Sequence, residues 1–67
     1  MKTYDIVFQD SENSNAKGFQ LSLEDAKDYI AQYNGTNESY FADYKGGMVQ
    51  VVDNESGEVA FQTEIPL

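Results

Sequence analysis

Along residues 3–9, Tyr4, Ile6 and Phe8 alternate with Asp5, Val7 and Gln9. A two-residue period of this kind predicts a strand with one buried face. Asp10 to Gly18 is polar and rich in Ser and Asn, which marks a loop. Lys17 to Leu21 then reads as a short second strand with Phe19 and Leu21 inward, so the first two strands form a hairpin with a long tip. From Leu23 the period changes: Leu23, Ala26, Ile30 and Tyr33 recur at spacings of three and four, giving a helix one apolar face. Ser22 is suited to cap that helix and Asp25 completes a short capping box. Glu24 and Asp25 complement the dipole of its first turn. Asn34-Gly35 supplies a stop, so the helix is expected at about residues 23–33.

Residues 36–45 fit two periods. Tyr40, Phe41 and Tyr44 suit one helical turn, while Tyr40 and Tyr44 alone also suit strand alternation; a short helical turn is the preferred reading, ended by Gly46-Gly47. Met48–Asp53 and Glu58–Ile65 form the clearest hairpin, joined by Asn54-Glu55-Ser56-Gly57. That loop suits a type I turn followed by a left-handed glycine. Val49, Val51, Val59, Phe61 and Ile65 are expected inward, and Pro66 ends the pairing for want of an amide hydrogen.

The expected fold is therefore α+β, ββαββ, a single domain over residues 1–67 with one helix packed on a four-stranded sheet. Placing the first and last strands side by side gives the favoured strand order 2-1-4-3. With that order the chain resembles the β-grasp fold, in particular the small immunoglobulin-binding domain of streptococcal protein G. The matching stretches are Thr3-Tyr4-Asp5-Ile6-Val7, Gln32-Tyr33 and the acidic C-terminal hairpin. The long loop from Asp10 to Gly18 and the segment 36–47 depart from it. The resemblance implies a fold and no binding residues. Glu38 to Gly47, with Asp53 to Val59, is also similar to small acidic bacterial proteins without an agreed activity, some carried on mobile elements.

Composition then removes functions. The 67 residues hold twelve Asp and Glu, four Lys, and no Arg, His, Cys or Trp, for a net charge of -8. Disulfides and ordinary zinc sites are excluded, leaving the core to hydrophobic packing alone. Nucleic acid and anionic membrane are excluded as ligands, since phosphate contacts need clustered cations. No apolar run approaches the roughly 20 residues of a bilayer span. Asp5 stands where a secretion signal keeps its apolar stretch, so a cytoplasmic protein is expected. Without His or Cys, dyads and triads that need them cannot form, and one helix on one sheet leaves little room for a substrate cleft; no enzyme activity and no cofactor are expected. Asp10, Glu12 and Ser14, or Asp53, Glu55 and Glu58, do not follow calcium-loop spacing, so no metal is expected.

Two surfaces remain as candidates. The sheet face away from the helix carries Asp5, Val7, Gln9, Gln20, Met48, Gln50, Val52, Ala60, Gln62 and Glu64, which include four of the five Gln. Val7, Gln9, Gln50, Val52 and Gln62 are its candidate contact residues, suited to docking on a protein or to a weak homodimer. The second is an acidic surface of Glu24, Asp28, Asp53, Glu55 and Glu58, the basis of a nucleic-acid mimic that inhibits a basic protein in the anti-restriction or anti-CRISPR manner. Spread evenly over a surface on the order of 4,200 Å2, the net charge is about fivefold sparser than on duplex DNA. The five Tyr are expected to bury their rings at the core edge and keep their hydroxyls wet. The leading expectation is thus a small regulatory or binding protein that contacts another protein, with the acidic inhibitor as the alternative.

Overall fold

A computed structural model describes residues 2–67. The elements follow in the order β1 (Tyr4–Gln9), β2 (Ser14–Ala16), α1 (Leu23–Tyr33), a 3-10 helix (Ser39–Asp43), β3 (Met48–Asp53) and β4 (Val59–Glu64). This is the α+β arrangement of one α-helix on a four-stranded antiparallel sheet. No helix among the described residues is long and apolar enough to cross a membrane.

Local signals act as the sequence implies. The Ser22 hydroxyl accepts a hydrogen bond from the Asp25 amide at 3.1 Å, and the Asn34 amide closes the helix on the Ile30 carbonyl at 2.8 Å. The β3–β4 turn closes with the Gly57 amide on the Asp53 carbonyl at 2.9 Å, Gly57 taking φ +80°. A side chain resists that conformation and glycine does not. Of the two readings of residues 36–45, the helical one is realised as the 3-10 turn, which lays Phe41 and Tyr44 into the core.

The strand order is corrected. It is β2-β1-β3-β4, so β1 pairs antiparallel with β3, and the favoured 2-1-4-3 arrangement with β1 beside β4 does not form. Two physical causes can be named. β1 and β3 each bury three residues (Asp5, Ile6 and Phe8; Val49, Val51 and Asp53), whereas β4 buries none; the strands richest in buried side chains take the centre. The segment from Asn34 to Gly47 is also long enough to carry the chain from the end of α1 back over the sheet end to a place beside β1.

Ile6, Phe8, Ala26, Ile30, Phe41, Tyr44, Val49, Val51 and Ile65 make the core, with Phe19, Leu21, Leu23 and Phe61 packed half-buried against it. Three further expectations change. The second strand sits at Ser14–Ala16 rather than 17–21, of which only Leu21 bridges back to Tyr4. The Lys17 amide still donates to the Ile6 carbonyl at 3.2 Å, but residues 18–20 leave the ladder, and the Asp5 carboxylate fills the gap by accepting the Phe19 amide at 2.9 Å and the Ile6 amide at 2.7 Å. Asp5 is consequently buried although it lies in an outward register. Finally, Val59 is not a core residue. Val51 faces Phe61 but Val52 faces Val59, so Ala60 is an extra residue in β4 and the bulge turns Val59 to the outer face.

Candidate functional site

The outer face of the sheet is ordered in cross-strand rows. Ala16, Val7, Gln50 and Gln62 stand side by side, since Val7 pairs with Ala16 and Gln50, and Gln50 with Gln62. Ser14, Gln9, Met48 and Glu64 make the row on one side; Asp5, Val52 and Val59 make the row on the other. Directly opposed residues in an antiparallel pair hold their side chains about 5 Å apart. The Gln50 amide donates to the Gln62 amide oxygen at 3.0 Å, which ties β3 to β4 on this face.

The five contact residues expected from the sequence are therefore brought together. Val7, Gln50 and Gln62 share one row, with Gln9 and Val52 in the rows beside it. Val7, Gln9, Gln50 and Val52 are half-buried among their neighbours, and Gln62 is exposed. The face also contains Val59, 47% exposed, and Ala16, neither of which the sequence pattern placed there. The signal for Val59 was present in Val59-Ala60-Phe61, three consecutive apolar residues that break a strict alternation. Gln20 falls within the bulged stretch between Ala16 and Leu21, outside the ladder.

Charge is the property that distinguishes this face. Sixteen of 67 residues are Asp, Glu or Lys. In the three rows only Asp5 and Glu64 are ionisable, and the Asp5 carboxylate is buried against backbone amides. Glu64, at one margin, is then the face's one exposed charge, and the valines, methionine and amides of the rest carry none to desolvate, as at the centre of a protein contact.

The acidic set is partly gathered. Asn54 donates to the Thr3 hydroxyl at 3.1 Å and to the Phe19 carbonyl at 3.0 Å. This folds the β3–β4 turn over the link that leads into α1, so Glu55 and Glu58 lie at the same end of the molecule as Glu24, with Asp28 one helical turn further on. Asp53 does not belong to that surface. It is only 5% exposed, with one oxygen accepting the Glu55 and Ser56 amides at 2.8 and 3.2 Å and the other 3.2 Å from the Lys2 ammonium. Asp10, Glu12, Glu38, Asp43 and Glu64 lie toward the opposite end, where Gln9 pairs with Met48. The folded chain exposes 4331 Å2 for a charge of -8, about 540 Å2 per net charge against roughly 110 Å2 on duplex DNA. Among the described residues no three carboxylates converge where a metal ion could sit.

Two carboxylates are held below the ordinary aspartate pKa. The backbone amides of Glu55 and Ser56 lower Asp53, with Lys2 adding to the effect; the amides of Glu12 and Asn13 lower Asp10. A depressed folded-state pKa adds stability that is complete above the unfolded value, about 3.9, and is lost as pH falls through the folded one. Urea midpoints are therefore expected to drop on acidification below about pH 4. The double variant Asp10→Asn, Asp53→Asn should show a flatter fall than the parent; equal slopes would place the acid sensitivity elsewhere.

Comparison with known proteins finds no matching family model, no matching curated protein and no matching solved structure.

Proposed function

We propose that this chain is a non-enzymatic cytoplasmic binding domain that regulates another protein by contact, with the outer sheet face as its docking surface. The observation that carries this reading is the absence of free charge across Val7, Gln50, Val52, Val59 and Gln62 in a chain otherwise dense in carboxylates. Three strands of six residues and the three-residue β2, about 4.8 Å apart and about 3.4 Å per residue, give a footprint of about 340 Å2. A standard interface takes about 800 Å2 per partner, so the face alone supports a weak, exchangeable contact.

A second reading rests on Glu24, Glu55 and Glu58 lying toward one end, with Asp28 a helical turn further on: an acidic inhibitor that occupies the nucleic-acid site of a basic protein. Its weakness is the even division of acids between the two ends of the molecule. The readings separate in one experiment. Immobilised parent protein is compared with Val52→Lys and Gln50→Lys on the face and with Glu24→Lys and Glu55→Lys at the acidic end, using extract of the source cells. Docking through the face predicts a protein retained by the parent and the acidic-end variants, lost from the face variants, and held at high salt. Loss from the acidic-end variants and release by salt would reverse the assignment. Self-association of the parent that the face variants abolish would identify the partner as a second copy.

A further inference from the structure

We infer that the outer edge of β4 accepts an extended, basic segment of another protein as a fifth strand. Among the described residues no strand pairs with this edge. The Ile65 amide donates inward to the Gly47 carbonyl at 2.9 Å, so alternation turns the backbone groups of Glu64 and Gln62 outward. Asn34, at the end of α1, confirms that direction, because its side-chain nitrogen donates to the Glu64 carbonyl at 3.2 Å. That bond also fixes the orientation of the amide, since only its NH2 group can face a carbonyl oxygen. The other end, Asn34 Oδ1, is buried and has no hydrogen-bond partner.

A buried acceptor without a donor is costly, and native proteins leave few of them. Here the Asn34 amide takes up the Glu64 carbonyl, and its own oxygen is enclosed by the protein. An incoming strand finds the N–H and C=O of Gln62 and the N–H of Glu64 along the edge. A groove lined by Asn34, Thr63, Glu64, Ile65 and Pro66 leads to this point. The bulge at Ala60 shortens the edge at one end and Pro66 at the other, which limits the guest to a short segment.

Charge selects the guest. Glu58 and Glu64 are exposed at the two ends of β4 on a chain of net charge -8. A two-fold pairing of β4 with a second copy would bring four such carboxylates to one seam, whereas a segment flanked by Lys or Arg is attracted. This mode is strand addition, in which main-chain hydrogen bonds supply the affinity. It uses the sheet edge and is independent of the face proposed above.

The test uses a capped peptide, Lys-Val-Thr-Val-Thr-Val-Lys, and the same peptide N-methylated at alternate residues, with amide hydrogen exchange of the isotope-labelled protein as readout. Strand addition predicts that the unmodified peptide slows exchange at Gln62 and Glu64 about tenfold and shifts the Asn34 side-chain resonances, while the methylated peptide does neither. Asn34→Ala, which frees the Glu64 carbonyl, should strengthen the effect severalfold. Gln62→Pro, which removes an outward N–H and leaves the β3 ladder intact, should abolish it. Equal action of the methylated peptide, protection at Val7 and Gln50 instead, protection that grows with protein concentration alone, or no protection would each overturn the inference.

Discussion

Truncating Phe8 to alanine is expected to leave no folded population at 37 °C. Phe8 is fully buried near the C-terminal end of β1, where the Phe41 ring meets it edge-on at 4.9 Å and the rings of Tyr40 and Tyr44 lie 5.6 Å away. Removing a buried phenylalanine side chain costs about 3–5 kcal/mol, and each aromatic contact adds about 0.5–1.5 kcal/mol beyond area. A domain of 67 residues is stabilised by roughly 3–10 kcal/mol in total. With no cysteine in the chain, no disulfide supplements it. Loss of the far-ultraviolet signal and of the urea transition is the expected result. Tyr40→Ala, at a ring 40% exposed, should cost far less even though it removes the face on which Lys17 Nζ rests at 4.0 Å. Similar losses for both variants would mean that the aromatic cluster is not centred on Phe8.

Gly47→Ala should be the next most damaging single change, and worse than Gly46→Ala. A methyl group on Gly47 would overlap the Gln9 carbonyl oxygen and lie 3.1 Å from that of Tyr44. Neither backbone can yield easily. Gly47 donates to the Tyr44 carbonyl at 2.9 Å and accepts from Ile65 at 2.9 Å, and Gln9 pairs with Met48. Relief requires opening the end of the β1–β3 seam, at a cost expected to exceed about 3 kcal/mol. Gly46 has φ +84°, but a methyl group there meets only the Leu67 side chain, which is exposed and can swing away. The left-handed conformation then sets its cost at about 1–2 kcal/mol. Urea unfolding of the two variants gives the order directly, and the reverse order would contradict the close approach of β1 to Gly47.

What the sequence could convey was local. The helix was legible because Ser22, Asp25 and Asn34 act within one turn of themselves, and the β3–β4 hairpin because Asn54 to Gly57 determines its own turn. The outer-face residues of β1 and β3 were legible through simple alternation. Strand order was not, because it depends on the path of residues 34–47, where Tyr40, Phe41 and Tyr44 satisfy two periods. β2 escaped recognition because Ser14, Asn15 and Ala16 are all exposed and so carry no hydrophobic pattern. Its inward Asn15 instead donates to the Tyr44 hydroxyl, a polar solution that periodicity does not register. Val59 was misplaced by one inserted residue, since a single-residue shift exchanges the faces of a strand. Asp53 resembled a free surface acid, yet its oxygens are committed to its own turn and to Lys2.

The pairing of β1 with β3 also bears on how the chain is made. β1 leaves the ribosome before β2 and α1, but its central neighbour, Met48 to Asp53, follows only after both. Until then only the short contact with β2 and the helix are available, and neither covers the edge that β3 will occupy. Closing so long a loop must precede the reward of the seam, which makes the meeting of the two hairpins the slow, cooperative event of folding. Throughout that interval Ile6, Val7 and Phe8 lie in a strand whose second edge is open. Its safety during synthesis rests on brevity and on the carboxylates that flank it.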